Sequence, residues 1–374
     1  MCRRGALAIC VVFVLILYLP LVGRVYSLMG QDGAIEDVLY DAFPNYDFGN
    51  PSALAVMTKY PSYFNKYHVF RKDLISWYAK THLEILGVSS NNRVVVGSEG
   101  WLFLNEFDEA MTYFRGMKPF REEDLSAWRQ ALEAKRDWLE RRGIRYLFVV
   151  APNKHSIYGE YIPEDYNKAR ETSRLDQLSA ELRANSKVRL VDSRLALNRE
   201  KATVDLYYRR DYHWNDLGAF IAYGQIALAL QEMFPDIVPI SASELESELR
   251  TDPMDLLLLL GINEGPHMES EHLMLKGKTR LASEILPASG GPASDSITSV
   301  IPKAVMFHDS FGPTLQTFLS PHFERILYVD QRQYQPGTID TLIINEERPD
   351  IVIEEVVERD LMKPAPLDPF VNHK

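Results

Sequence analysis

The chain has 374 residues, a length that suits one large domain or two small ones. Its hydrophobic fraction of 46% and charged fraction of 25% are those of a packed globular protein, which excludes disorder over most of the length. The 41 basic and 52 acidic residues give a formal net charge of -11. Such a chain offers no general basic face to phosphates, so we expect no nucleic-acid partner.

The N-terminus predicts a membrane segment. Arg3 and Arg4 precede an uncharged apolar run from Gly5 to Gly23. As a helix this run is about 28 Å long, close to the thickness of a bilayer core. The two arginines favour a cytoplasmic N-terminus and export of the remaining chain. We therefore predict a signal-anchor over residues 1–27, with a cleaved signal peptide as the alternative.

Cysteine usage agrees with export. Cys2 and Cys10, the two cysteines of the sequence, both lie in or before the apolar run. The remaining chain therefore has no thiol to oxidise, which excludes thiol catalysis and cysteine-ligated zinc there. After the predicted anchor, aromatic residues recur near helical spacing, and we predict a helical lead-in over residues 28–90.

Residues 91–374 alternate between strand-like and helical patterns, which predicts a parallel sheet covered by helices on both faces. In such sheets reactive groups lie at the carboxyl ends of strands. The Gly-, Ser- and Pro-rich stretch 280–300 predicts a surface loop. The predicted strands are 94–96, 101–104, 145–150, 188–192, 304–307, 325–330 and 350–356. The predicted helices are 122–142, 173–184, one after Asn215, a short buried one at 256–260, one after Gly312, and 339–346.

The first chemical motif is FHDSFG, directly after the apolar run 304–307. A serine at a sharp strand-to-helix turn has an exposed hydroxyl, and its own backbone N–H can face an oxyanion. Ser310 is therefore a candidate nucleophile. The alternative is that Asp309 or Ser310 only caps the following helix.

The second motif is RRDYHWND, residues 209–216. A serine nucleophile needs a base within hydrogen-bond reach, and that base needs a group that fixes its tautomer. Asp211 and His213 supply both from one short loop, and Asn215 or Asp216 can cap the next helix. The alternative is a buried structural histidine beside Trp214. A metal set of Asp211, His213, His308 and Asp309 is a weaker alternative, because no i,i+4 histidine pair or dense carboxylate cluster accompanies it.

The sequence resembles the AlgJ/AlgX-type alginate O-acetyltransferases, which have an SGNH-hydrolase-like domain. The resemblance extends over residues 60–362, in several pieces that occur in the family's order. These pieces are YFNKYHVFR, VVVGSEGWLF, VAPNKHSIY, RDYHWNDLGA, MDLLLLLG, FHDSFG, FLSPHFERILYVD and RPDIVIEEVVER. The implied fold is α/β and SGNH-hydrolase-like (flavodoxin-like), with a parallel sheet flanked by helices over residues 91–374 and an N-terminal membrane anchor.

The resemblance implies roles for the motif residues. Ser310 matches the family's nucleophile, His213 its general base and Asp211 the residue that orients the base. Asn153 is a candidate oxyanion donor, with a turn residue as the alternative, and Trp214 and Arg209 are candidate substrate contacts. Positive charge for an anionic sugar is available from Lys154, His155, Arg209 and Arg210, although solvated surface is the preferred interpretation for Lys154 and Arg210.

By the same resemblance, the protein O-acetylates an exported polysaccharide without a cofactor or a metal. The implied acetyl donor partner is a multispanning membrane acyltransferase, and the implied location is the inner membrane, with the catalytic domain in the periplasm. A carbohydrate acetylesterase with the same triad is one alternative function, and a catalytically silent scaffold of an export assembly is another. The polysaccharide stays unassigned, because a protein of charge -11 repels an anionic polymer unless its groove is locally basic.

Overall fold

A computed structural model describes residues 11, 14, 71–105, 109–262, 269–276, 293–295, 301–331, 338–366 and 368–371. The chain divides into two compact units, residues 1–90 with 261–264 and residues 91–260 with 265–374. In the first unit, α1 (Arg71–Lys80) continues into a π-helical turn, Thr81–Ile85. Apart from residues 11 and 14, the predicted anchor lies outside the described residues, as does most of the predicted lead-in. Among the described helices, none is both long enough and apolar enough to cross a bilayer.

A six-stranded sheet forms the centre of the second unit. Its strands are β3 (Arg145–Ala151), β4 (Leu190–Asp192), β7 (Ala293–Asp295), β8 (Ile301–His308), β9 (Phe323–Asp330) and β11 (Ile351–Val357). They lie in the order β4-β3-β11-β8-β9-β7. The strands from β4 to β9 in that order run parallel, and β7 pairs antiparallel at one edge. β11 is buried along its whole length, because neighbouring strands flank it and helices cover both of its faces.

Helices pack on both faces of this sheet. The helices are α2 (Ala110–Phe114), α3 (Glu122–Glu140), α4 (Lys154–Ile157), α5 (Arg174–Asn185), α6 (Arg194–Glu200), α7 (Asp216–Met233), α8 (Asp255–Leu260), α9 (Gly312–Leu319) and α10 (Thr341–Glu347). One apolar cluster joins α7 and α9 to one face of the sheet, and a second joins α3, α5 and α10 to the other face. The predicted α/β fold with a parallel sheet flanked by helices is confirmed.

Local chemistry explains where two of these helices begin. Ser173 and Asp176 form a reciprocal capping box at the start of α5. The Asn215 side chain accepts a hydrogen bond from the Gly218 N–H at 2.9 Å, which confirms the predicted cap of α7. Both caps satisfy backbone N–H groups that lack a partner within the first turn of a helix.

Three small two-stranded sheets accompany the main one. β1 (Val94–Val96) and β2 (Leu102–Leu104) form the predicted hairpin around the GSEG turn. β5 (Leu245–Thr251) pairs antiparallel with β6 (Glu269–Leu275), a hairpin that the sequence did not predict. β10 (Ile339–Asp340) pairs with β12 (Phe370–Val371). The predicted loop at 280–300 lies outside the described residues except for 293–295, which form β7.

Candidate active site

The predicted nucleophile lies in a tightly hydrogen-bonded turn between β8 and α9. The Asp309 carboxylate accepts from the backbone N–H of Phe311 at 2.8 Å and from that of Val357 at 2.6 Å. Its own N–H donates to the buried carboxyl of Glu355 at 3.1 Å. Burial, and then the charge of Asp309, raise the pKa of Glu355 well above its usual range. Asp309 therefore fixes the turn, and Ser310 stands next to it, partly exposed.

The predicted base and its orienting group are hydrogen-bonded to each other. Asp211 is fully buried, and its Oδ1 accepts from His213 Nδ1 at 2.7 Å and from the His213 backbone N–H at 2.8 Å. Its Oδ2 accepts from the backbone N–H of Asp255 at 2.9 Å. Burial alone would raise the pKa of Asp211, but the hydrogen bond and charge of His213 lower it. An ionised Asp211 at this position places the proton of a neutral His213 on Nδ1 and leaves Nε2 as the acceptor.

The two motifs meet at Phe311 and Tyr212. The His213 ring lies 4.9 Å from the Phe311 ring, and the Trp214 ring meets the same phenylalanine edge-on at 5.1 Å. Burial raises the pKa of Tyr212 to about 12, and the nearby Ser310 side chain opposes this effect. His213 Nε2 is buried and makes no hydrogen bond to any described residue. The ring nitrogen that a general base needs is thus available beside the serine turn.

Adjacent strand ends contribute two more side chains. β3, β11 and β8 are neighbours in the sheet, and Asn153, Arg359 and Ser310 each follow one of them by two residues. Asn153 is 2% exposed, and its Nδ2 has no partner among the described residues. The Arg359 guanidinium carbon lies 5.3 Å from the Tyr212 ring centre and 5.9 Å from that of Phe311. The amide donor of Asn153 and the cation of Arg359 therefore lie at the same end of the sheet as Ser310.

Two expectations about positive charge are wrong. Lys154 is not solvated surface, because it is 1% exposed and its ammonium contacts backbone carbonyls. His155 is also buried, it bonds the Leu104 carbonyl through Nε2 at 2.8 Å, and burial lowers its pKa to about 3. A neutral, buried histidine offers no charge to a sugar.

Arg209 and Arg210 are both partly buried. The Arg209 guanidinium donates to Asp205 at 2.9 Å and to the carbonyl of Glu99 at 2.8 Å, so it braces two loops. Trp214 is 1% exposed and packs in the core beside the site. Substrate contact by Arg209 or Trp214 stays a prediction.

Sequence reasoning missed three residues of this region, Tyr212, Asp255 and Arg359. Asp255 begins α8, and its carboxylate lies 4.0 Å from His213 Nδ1. A signal was available for Arg359, because it comes just after the carboxyl end of a buried strand, where sites of such sheets occur. Tyr212 lies inside the RRDYHWND motif, so its proximity to His213 could have been found from the sequence. No comparable signal marked Asp255, since its proximity to His213 depends on how distant loops pack.

The carboxylates also bear on the metal alternative. Among the described residues, Asp211, His213 and Asp255 have ligand atoms within 4.8 Å of one another. The structure does not group His308 and Asp309 with them, because the Asp309 carboxylate is occupied by two backbone N–H groups. Both Asp211 oxygens likewise accept from protein N–H groups. The donor set therefore suits an Asp–His hydrogen bond better than the coordination of a cation.

The fold is that of an SGNH hydrolase-like domain. The sequence profile of the family described as "SGNH hydrolase-like domain, acetyltransferase AlgX" matches residues 94–278. These residues are just under half of the chain, and over them the predicted resemblance to the AlgJ/AlgX-type family is confirmed. Asp211 and His213 lie inside the matched residues, and Ser310 lies beyond them.

Curated relatives carry the name of this family, and a solved structure shares the fold. The probable alginate O-acetylase AlgJ of Pseudomonas putida is 27% identical over 137 residues, which are 37% of this chain and 34% of that protein. AlgJ of Pseudomonas aeruginosa is 28% identical over 172 residues, 46% of this chain and 41% of that protein. The chain thus matches less than half the length of either. Bacillus cereus PatB1 shares the fold with a TM-score of 0.52 at 13% identity, over 72% of this chain and 97% of that structure.

Proposed function

We propose that this chain is an O-acetyltransferase that acts on an exported polysaccharide through a serine acyl-enzyme. The observation that carries the proposal is the Asp211–His213 hydrogen bond of 2.7 Å, which leaves Nε2 buried beside the turn of Ser310, with no partner in the part of the chain that the structure describes. The match to the AlgX acetyltransferase family model supports the acetyl group, and the relatives named as alginate O-acetylases support a polysaccharide acceptor.

The residues give a two-step mechanism. His213 Nε2 takes the hydroxyl proton of Ser310 while Oγ attacks the acetyl carbonyl of the donor, and the same proton then leaves with the donor's leaving group. An acceptor hydroxyl next gives its proton to Nε2 and attacks the acetyl-serine, which returns Ser310 with its proton. Asp211 keeps the Nδ1–H tautomer and stabilises the imidazolium that forms in each step.

Backbone and amide donors would hold the negative oxygen of each tetrahedral intermediate. We assign this role to the Ser310 N–H and to Asn153 Nδ2, whose buried amide lacks a partner among the described residues. Tyr212 would hold the serine hydroxyl before the donor arrives, because Ser310 lies close enough to its phenol to lower the pKa of that group. A buried N–H donor that has no partner in the free protein gains the most hydrogen-bond energy when an oxyanion forms beside it.

The placement of the protein belongs to the same proposal. A signal-anchor over residues 1–27 would hold the catalytic domain at the periplasmic face of the inner membrane. A multispanning membrane acyltransferase would supply acetyl groups there. The acceptor would be a polysaccharide on its way out of the cell.

The first test is a chromogenic acetyl ester incubated with the full-length chain, read by turnover and by intact mass. We expect an acetyl adduct, and Ser310→Ala should lose the adduct and at least about 10³-fold of the turnover, because the nucleophile is gone. Ser243→Ala is the matched control, since Ser243 is an exposed serine on a surface turn.

Glycan acceptors then separate the possible outcomes. Acetylated glycan that depends on Ser310 supports the transferase, and release of acetate with no acetylated glycan would favour an esterase. A folded wild-type protein with neither adduct nor turnover would contradict the acyl-enzyme and favour a scaffold.

A further inference from the structure

The Lys154 ammonium is buried among backbone carbonyls. Its Nζ donates to the carbonyl oxygens of Leu102 at 2.7 Å, Tyr208 at 2.8 Å, Arg209 at 2.9 Å and Asp211 at 3.0 Å. The residue is 1% exposed. An ammonium has three N–H donors, so these carbonyls saturate its hydrogen-bonding capacity. Lys154 is therefore an internal cross-link rather than a surface charge.

The surroundings explain how a cation is tolerated there. The Trp101 ring centre lies 4.8 Å from Nζ and that of Phe103 lies 5.3 Å away, and the faces of aromatic rings attract cations. Burial lowers the pKa of Lys154, while the charge of the nearby Asp211 opposes this effect. A charge without such partners is costly to bury.

Three of the four carbonyls belong to one loop, residues 208–211, which leads directly into His213. The loop also has backbone support. Its Arg209 carbonyl accepts from the Leu102 N–H at 2.9 Å and its Arg210 carbonyl from the Leu256 N–H at 3.2 Å. The Tyr208 N–H donates to the His213 carbonyl at 3.3 Å, and a bridge joins Tyr207 and Trp214. The fourth carbonyl, that of Leu102, belongs to β2. The ammonium thus ties the loop that carries the acid–base pair to a fixed strand.

We propose that Lys154 is the positioning residue that holds the loop of Asp211 and His213 in register with Ser310. Its catalytic consequence rests on the proposed function, but its effect on the loop does not. Without the ammonium, the carbonyls of Leu102, Tyr208 and Asp211 lose this donor, while that of Arg209 keeps the Leu102 N–H at 2.9 Å. The loop then relaxes until water or other groups satisfy the carbonyls. The His213 ring then moves relative to the serine, and small misplacements of a catalytic group reduce rates strongly.

The test compares Lys154→Met with Lys135→Met in the full-length chain. Lys135 is also fully buried and pairs with Glu354 at 2.5 Å, but its neighbours Tyr146 and Phe148 belong to the apolar cluster on the opposite face of the sheet. Both variants remove one buried ammonium and add a similar apolar side chain. Loss of stability alone should therefore affect the two alike.

Two readouts distinguish positioning from stability. We expect Lys154→Met to lower kcat for an acetyl ester about 10²-fold with a smaller change in KM. We also expect it to broaden or shift the low-field proton resonance of His213 Nδ1–H, which Asp211 Oδ1 accepts. Lys135→Met should leave that resonance in place and change kcat less than about threefold, although it lowers Tm.

The outcomes are distinct. A folded Lys154→Met variant with wild-type kcat and an unchanged His213 resonance would overturn the proposal. If that variant does not fold, Lys154→Gln keeps two N–H donors and should show an intermediate effect. Failure of both variants to fold while Lys135→Met folds would also overturn it, because Lys154 would then serve the fold as a whole. A wild-type protein without turnover or adduct would contradict the acyl-enzyme, and the resonance would still decide the role of Lys154.

Discussion

Opposing electrostatic effects act on the ionisation of the Asp211 carboxyl. Burial favours its neutral form, while three N–H groups and the neighbouring His213 favour the carboxylate. The balance lowers the pKa of Asp211, so the folded protein holds it ionised although no part of it reaches solvent. This arrangement gives His213 a fixed tautomer, which is what a general base beside Ser310 requires.

Asp211→Asn should abolish most of the activity. Oδ1 faces two donors of His213 and Oδ2 faces the Asp255 N–H, so either orientation of the new amide turns its NH₂ group towards a donor. We expect kcat for an acetyl ester to fall by about 10³- to 10⁴-fold, because the histidine loses its correct tautomer. Asp205→Asn, which changes only an exposed pair with Arg209, is the control and should retain kcat within about threefold. Equal activity of the two variants would argue against His213 as the base.

The same carboxylate predicts a pH dependence of stability. Its folded pKa lies below the value of about 3.9 for an unfolded aspartate, so the folded state gains stability above that pH and loses it as pH falls through the folded value. The difference in Tm between wild type and Asp211→Asn should therefore be constant near neutral pH and shrink below about pH 3.9. Thermal melts at pH values from 3 to 7 measure it. A difference that grows on acidification would contradict this sign.

At the scale of elements, the start of α7 is built around close contact between backbone segments. A Cβ atom on Gly218 would lie 2.1 Å from the Leu206 carbonyl oxygen and 3.1 Å from Trp214 Cβ. That carbonyl accepts from the Asn215 N–H at 3.0 Å, so the glycine lets α7 start directly against the loop of Asp211 and His213. The same helix contains Gly224, where an added Cβ would meet nothing within 4 Å.

Substitution by alanine should have opposite effects on the free energy of unfolding at these two glycines. Gly218→Ala forces a backbone shift and should destabilise the protein by about 1–3 kcal/mol. Gly224→Ala should stabilise it by roughly 0.5–1 kcal/mol, because alanine loses less conformational freedom in a helix. Urea unfolding of both variants gives the free energies. Similar values for both would show that the approach of Leu206 does not constrain the helix.

The helices, strands and site residues also show how much of the structure could be predicted from the sequence. The order of strands and helices was predictable because it follows from hydrophobic period and turn residues, as for β3, α3 and α5. The Asp211–His213 pair was predictable because both residues lie in one short loop. The burial of Lys154 was not predictable, since its four carbonyl partners come from two segments that are distant from it in the chain, and no local sequence pattern indicates these contacts. The β5–β6 hairpin was also missed, because its strands carry many exposed polar residues and leave no clear alternation.

For the whole molecule, charge decides which acceptors approach easily. The formal net charge is -11, and Lys154 and His155 do not offset it at the surface because both are buried. Arg359 is close to the site, and it is only 8% exposed. An anionic polysaccharide therefore meets long-range repulsion, which a neutral one does not.

Salt should separate these two classes of acceptor. With an anionic glycan, we expect KM for acetyl transfer to fall as ionic strength rises from about 0.01 to 0.15 M, because the screening length falls from about 30 to 8 Å. With a neutral glycan, KM should change little over the same range. Initial rates at several salt concentrations measure the effect. A KM that rises with salt for the anionic glycan would indicate a locally basic groove.

The position of β11 has a consequence for how the protein is made. β3 carries Asn153 at its end and β8 leads to Ser310, yet the two strands do not pair with each other because β11 lies between them. β11 comes after both in the chain, so during synthesis the sheet exists as two unjoined pieces with open edges. Such edges invite wrong pairing with other chains. The end of the sheet that carries Asn153 and Ser310 is therefore complete only after residues 351–357 have emerged and joined the two halves.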